Sequence, residues 1–218
     1  MQFKQTSSVT NGGVRTSPFV MGADVSGNIW MPESTGQPAL ILLAPGGGQD
    51  VNSPGIAQRA EHFARHGFAS AAINAPGQGG RVPSEEYRRL TAQLDVARSD
   101  RTELTKAIEA VSDHVAQQVV PELGDLVDAL SERGLIAPES HIGFWGLSQG
   151  AVVGLRLARQ EPRLTAAVLG LAGAPHLVEQ AGEIHVPVQY VVQWDDRLVA
   201  RRAALDVFEA LASADKTL

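Results

Sequence analysis

The chain has 218 residues, with 18 Lys and Arg against 24 Asp and Glu for a formal net charge of −6, and it contains no cysteine. No run of Lys and Arg is present to neutralise phosphates, which excludes a nucleic-acid-binding or anionic-membrane-binding surface. The lack of thiols excludes a disulfide framework, a thiolate metal site and a cysteine nucleophile. Composition does not shift midway as it does at a linker, so a single domain over 1–218 is expected, with a small neutral molecule as its partner.

At the start, Met1–Thr10 lacks a basic segment followed by an apolar one, and no stretch approaches the ~20 apolar residues of a membrane span. The expectation is a soluble, cytoplasmic protein. Val14–Met21 and Val25–Met31 alternate as antiparallel edge strands do, with turn signals at Asn11-Gly12-Gly13 and Gly22-Ala23-Asp24. The pattern then changes to short unbroken apolar runs, which suit strands covered on both faces: Ala39–Ala44, Phe68–Ile73, His141–Trp145, Leu164–Leu171 and Val186–Val192. Between them Ile56–His66, Thr102–Gln117, Pro121–Arg133, Ala151–Gln160 and Ala200–Ala214 carry apolar residues at helical spacings, for instance Leu104, Ile108, Val111 and Val115. Alternating strand and helix predicts an α/β fold with a mostly parallel, twisted sheet and helices on both faces. The polar stretch from Gln78 to Asp100, with the helix after it to about residue 120, reads either as a lid-like excursion over a site or as a solvated helical segment.

In such a sheet the reactive loops lie at the carboxyl ends of the strands. Gly146-Leu147-Ser148-Gln149-Gly150 falls between a predicted strand and a predicted helix, the setting of a nucleophile elbow. There a serine takes strained backbone angles and its neighbours must be small because strand and helix pass close by. Ser148 is therefore the candidate nucleophile, and the competing reading is a helix N-cap serine. Acyl transfer also needs oxyanion donors, a base and a carboxylate to orient that base. Pro45-Gly46-Gly47-Gly48-Gln49 ends the first parallel strand and exposes backbone N–H groups, so the amides of Gly47 and Gln149 are the expected oxyanion hole. A phosphate cradle is disfavoured there, because no Lys-Ser or Lys-Thr pair follows and the Gly-x-Gly-x-x-Gly spacing is not met. After the last apolar strand both Asp195 and Asp196 stand where the acid is expected, and either also serves to cap the following helix.

The base is harder to find, since no histidine follows His185. His62 and His66 are four apart on a helix, but no acidic ligand is evident beside them and His66 suits the helix C-terminus. His176 alone follows the carboxyl end of a strand and is the one stand-in base within the chain. No metal and no organic cofactor is expected.

Together, Leu42–Gln49, Asn74-Ala75-Pro76-Gly77-Gln78-Gly79, Trp145–Gly150 and Gln193–Val199 resemble the α/β-hydrolase superfamily, in particular its dienelactone-hydrolase-like branch, from about Val25 onward. The resemblance implies an α/β-hydrolase fold. It favours Asp196, three residues before Val199, as the acid over Asp195. It implies that Ala212–Leu218 enters the last core strand and that the family's histidine follows beyond Leu218, so that the chain reads as C-terminally truncated, with the last strand and histidine loop missing. Dienelactone hydrolases carry cysteine at the elbow where Ser148 stands, so the implied activity is that of a serine esterase on a small carboxylic ester. The alternative is a non-catalytic binding or scaffold protein of the same fold that lacks the triad histidine.

Overall fold

The structure is a computed structural model that describes residues 2–33 and 36–218. Its strands and helices run β1 (Phe3–Gln5), β2 (Val9–Asn11), β3 (Val14–Met21), β4 (Val25–Pro32), β5 (Leu40–Ala44), α1 (Pro54–Arg65), β6 (Ala69–Ile73), α2 (Glu85–Ala97), α3 (Arg101–Glu132), β7 (Ile142–Gly146), α4 (Gln149–Gln160), β8 (Leu164–Gly170), α5 (Pro175–Ala181), β9 (Val188–Val191), α6 (Arg201–Ala210) and β10 (Lys216–Thr217). All ten strands join one sheet in the order β1-β3-β4-β6-β5-β7-β8-β9-β10, with β2 pairing β3 at the antiparallel end. Pairing is antiparallel from β1 to β6 and parallel from β6 through β5 to β10.

The unbroken apolar runs become strands because both of their faces are covered. Side chains alternate along β5, so Leu40, Leu42 and Ala44 enter the larger core, built with α3 and α4, while Ile41 and Leu43 face Ile56, Ala60 and Ala64 of α1. Parallel connections return each strand in the same direction, which brings the loops after β5, β7, β8 and β9 to one rim. No helix among the described residues is long and apolar enough to cross a membrane.

Four features bear on the sequence expectation, two of them departures from it and two in line with a reading of it. The predicted break before Pro121 is absent, and α3 runs unbroken through it for 32 residues. Proline removes one hydrogen bond at a cost of about 3 kcal/mol. Here buried Val115, Ala116, Val119 and Val120 before it and Leu123, Leu126, Val127 and Leu130 after it hold the helix in line. The polar excursion contains a regular helix, α2, capped by the Ser84 hydroxyl accepting from the Tyr87 N–H. It packs along α3. The short elements β1, β2 and α5 were not anticipated, and α6 ends at Ala210, short of the predicted Ala214. Finally, Lys216 and Thr217 pair in parallel with Val188 and Gln189, so the sheet gains a strand where the resemblance places the last core strand.

The loop after β6 is tied to α3 by a buried ion pair. Arg81 donates from Nη1 to the Asn74 carbonyl (2.6 Å) and reaches both oxygens of Glu122 at 2.9 and 2.7 Å. Its side chain is 6% exposed and that of Glu122 20%. Replacing Arg81 with Ala leaves that carboxylate largely buried without its partner. Urea unfolding at neutral pH is expected to show a loss of about 2 kcal/mol, of which the double change Arg81→Met with Glu122→Leu recovers at least half. An unchanged midpoint for Arg81→Ala would show that the pair contributes nothing.

Candidate active site

Ser148 sits at the junction of β7 and α4 with φ 57° and ψ −121°. A positive φ costs a residue with a side chain about 1–3 kcal/mol and persists only where surrounding packing enforces it. The enforcement here is steric. A Cβ on Gly146 would lie 2.4 Å from the Gly150 carbonyl oxygen, and one on Gly150 would lie 2.6 Å from that of Ala44. Strand and helix therefore cross at a distance only glycine allows, and the chain between them must turn sharply. The Ser148 N–H donates to the Gly170 carbonyl at 2.9 Å, and its own carbonyl accepts from Ala151 at 2.9 Å. The serine is exposed. Although it occupies the N-cap position of α4, its hydroxyl makes no capping hydrogen bond. This separates it from an ordinary capping serine.

The glycine loop after β5 lies against this elbow. The Gln49 N–H donates to the Gly46 carbonyl at 3.1 Å, closing a turn whose third residue, Gly48, has φ 76°. The Gln49 side-chain oxygen accepts from the Gly46 N–H at 3.3 Å. The Gly47 amide, at the tip, has no such partner among the described residues. A Cβ at Gly47 would stand 3.6 Å from the side-chain oxygen of Gln149 and one at Gly46 3.8 Å from the Leu147 carbonyl, so loop and elbow share one rim. Gln149 opens α4, where the first N–H groups of a helix have no intrahelical acceptor and the helix dipole is positive. The geometry thus gathers an exposed hydroxyl and two amides that find no acceptor among the described residues.

A cavity of about 130 Å³ adjoins the elbow and is bordered by Ser148, Gln149, Asp196 and His176. Asp196 is half-buried, and its Oδ1 accepts from the N–H groups of Leu198 (2.7 Å) and Val199 (3.0 Å). These two bonds fix the carboxylate in its turn and leave Oδ2 for another donor. Asp195 faces outward with its side chain 92% exposed, 3.5 Å from Arg201. Neither aspartate caps α6, whose N-cap is Ala200.

The histidines are placed as follows. His176 borders the cavity, but its Nε2 lies 3.2 Å from Asp113 on α3; a carboxylate only accepts, so Nε2 carries the proton. His141 and His185 precede β7 and β9 at the opposite end of the sheet. His114 interacts with Gln118 and Ser84. His66 caps α1, with Nδ1 2.8 Å from the His62 carbonyl. Among the described residues no cluster of three or more His, Asp or Glu is arranged to hold a metal ion.

Three contributors to the rim gave no sequence signal. Leu171, bordering the cavity, has φ 54° and donates to the Val191 carbonyl at 3.0 Å. Tyr190 is fully buried and its hydroxyl donates to the Ala172 carbonyl at 2.6 Å, anchoring the same loop. Burial pushes the Tyr190 phenol far above its ordinary pKa, so it stays a neutral donor. Glu109 on α3 also borders the cavity, and burial raises its carboxyl pKa, opposed in part by His176.

No protein-family model and no curated protein sequence matches the chain. Solved structures do. A polyethylene-glycol-bound cold-adapted esterase from an Arctic intertidal metagenomic library superimposes with a TM-score of 0.80 at 25% identity, over 100% of this chain and 88% of that one. Acetyl xylan esterase 1 from Thermoanaerobacterium sp. JW/SL YS485 gives a TM-score of 0.68 at 15% identity, covering 99% of this chain and 80% of that one. A dienelactone hydrolase from Anabaena variabilis ATCC 29413 gives 0.54 at 19% identity, covering 99% and 85%. The chain has the α/β-hydrolase fold, shared with esterases and dienelactone-hydrolase-like proteins.

The elbow's sterics yield a direct test. In Gly146→Ala the new methyl must displace the first turn of α4, so labelling of Ser148 by a fluorophosphonate, followed by mass spectrometry, should slow by at least about tenfold. Labelling at the unaltered rate would show that the close approach does not set the serine's geometry.

Proposed function

We propose that this protein is a serine hydrolase that cleaves small carboxylic esters through an acyl-enzyme. Ser148 Oγ attacks the carbonyl carbon and gives its proton to a base. The amides of Gly47 and Gln149 hold the resulting oxyanion; the intermediate then expels the alcohol, and water hydrolyses the acyl-serine. Asp196 orients an imidazole through its free carboxylate oxygen. The observation that carries this reading is the uncapped, exposed Ser148 hydroxyl, held at φ 57° beside a cavity and flanked by the Gln149 amide. The esterases among the structural neighbours support the same reaction class.

The reading locates no base in place. Ser148 Oγ has no hydrogen-bond partner among the described residues, so His176, which borders the cavity with its Nε2 3.2 Å from Asp113, is not joined to it. That observation favours the alternative, a binding or scaffold protein of this fold, and one assay separates the two. With p-nitrophenyl acetate the chain should show a slow rate that Ser148→Ala abolishes. Added imidazole should raise the Ser148-dependent part by at least about tenfold, since a general base contributes roughly 10²–10⁴-fold. Asp196→Asn should lower the imidazole-dependent rate and Asp195→Asn should not. Equal rates for the unaltered chain and Ser148→Ala, with and without imidazole, would rule out the hydrolase and leave the binding protein.

A further inference from the structure

The cavity beside Ser148 is chemically two-sided. Val152, Leu171, Leu177, Leu198 and Val199 make much of its lining apolar, whereas one stripe of α3 supplies Thr105, Glu109, Ser112 and Asp113 at spacings of three and four residues. The two carboxylates of that stripe are in different states. Asp113 is held by the Nε2–H of His176 at 3.2 Å. Glu109 has no side-chain hydrogen bond or ion pair among the described residues, and it is half-buried.

An unpaired carboxylate facing an apolar cavity is costly, because it loses water without gaining a counter-charge. A residue kept only for solubility belongs on the outer face of the helix. Glu103 and Lys106 of α3 are such residues, 58% and 66% exposed and paired with each other at 2.8 Å. Glu109 lies on the inner stripe, against the cavity that the nucleophile borders. His176, the basic group whose charge acts on Glu109, has its Nε2 committed to Asp113, so no cation among the described residues pairs with the Glu109 carboxylate, and the ligand is the one component that enters the cavity from outside.

We propose that Glu109, with Asp113 held in place by His176, forms a subsite for a positively charged group, so that the preferred esters carry an ammonium a few bonds from the scissile carbonyl. This deepens the esterase reading and rests on Ser148 being the nucleophile of the same cavity. The field of Glu109 reaches a bound cation through a largely apolar space, where Coulomb attraction is less screened than in water.

Choline and its neutral carbon isostere, neohexyl alcohol, differ in charge and little in shape, and their binding is measurable by NMR titration at low ionic strength. Choline should bind the unaltered protein about fivefold more tightly than the isostere, in keeping with a partly exposed charge pair. Glu109→Gln should close that gap, salt should narrow it, and Glu103→Gln on the outer face should leave it intact. Equal affinities in the unaltered protein, or a gap that survives Glu109→Gln in a variant with an unchanged circular dichroism spectrum, would overturn the subsite. Hydrolysis of the butyrate esters of the two alcohols separates this from the parent reading. A choline preference in binding without Ser148-dependent cleavage of either ester keeps the subsite and removes the nucleophile. Cleavage of both esters with equal kcat/KM removes the subsite and keeps the nucleophile.

Discussion

The site depends on one steric constraint, the closeness with which α4 crosses the ends of β5 and β7. With the Gly150 backbone against the Ala44 carbonyl and the Gly146 backbone against Gly150, no side chain fits between them. Two residues must then carry the chain from strand to helix, and Ser148 absorbs the change of direction with a positive φ. The strain costs about 1–3 kcal/mol. It is offset by α4 itself, in which Ala151, Val152, Val153, Leu155 and Leu157 are buried. The same crossing puts Gln149, the first residue of α4, directly after the serine and on the border of the same cavity. The geometry of the proposed nucleophile and of one proposed oxyanion donor would thus follow from a single packing event.

The neighbouring strands complete the rim by the same logic of parallel repetition. The carbonyl of Gly170, at the end of β8, accepts from Ser148, and Leu171 then turns with a positive φ while donating to Val191 at the end of β9. Tyr190 reaches across to hold the Ala172 carbonyl. These bonds link three successive strand ends, so the loop bordering the cavity has little freedom. Asp196 follows β9 itself and is clamped by two backbone amides of its own turn.

The parts of this arrangement that were legible in the sequence are those fixed locally. The unbroken apolar runs mark the strands because both faces of the sheet are covered, and Gly146 and Gly150 mark the elbow because their lack of a side chain is itself the structural requirement. Asp196 over Asp195 came from a resemblance, and the coordinates distinguish them by direction: one borders the cavity and the other faces solvent. What was not legible is set by distant contacts. Leu171 takes a left-handed conformation without being glycine, held by a hydrogen bond to another strand. The three-residue strands β1 and β2 exist through pairing with β3. Pro121 reads as a helix breaker until the buried residues on either side of it are counted. Glu109 and Asp113, on a helix rich in charge, look like a solvated face, and their inward direction is visible only once α3 is docked on α4.

The charge distribution around the cavity links these parts to the proposed reaction. An oxyanion forming near Ser148 would share the cavity with the carboxylates of Asp196 and Glu109, both half-buried. In the proposed reaction Asp196 is suited to that company, since its negative charge would stabilise an imidazolium formed as the serine loses its proton. Glu109 is paired with no cation among the described residues, and its field opposes the developing charge wherever His176 does not offset it. A neutral ester would have to react against that field, whereas an ester bearing an ammonium group cancels it on binding and carries the cancellation into the transition state. A carboxylate that looks anticatalytic in the empty cavity therefore becomes a means of selecting the substrate, because the penalty is relieved only by the ligand that supplies the missing charge.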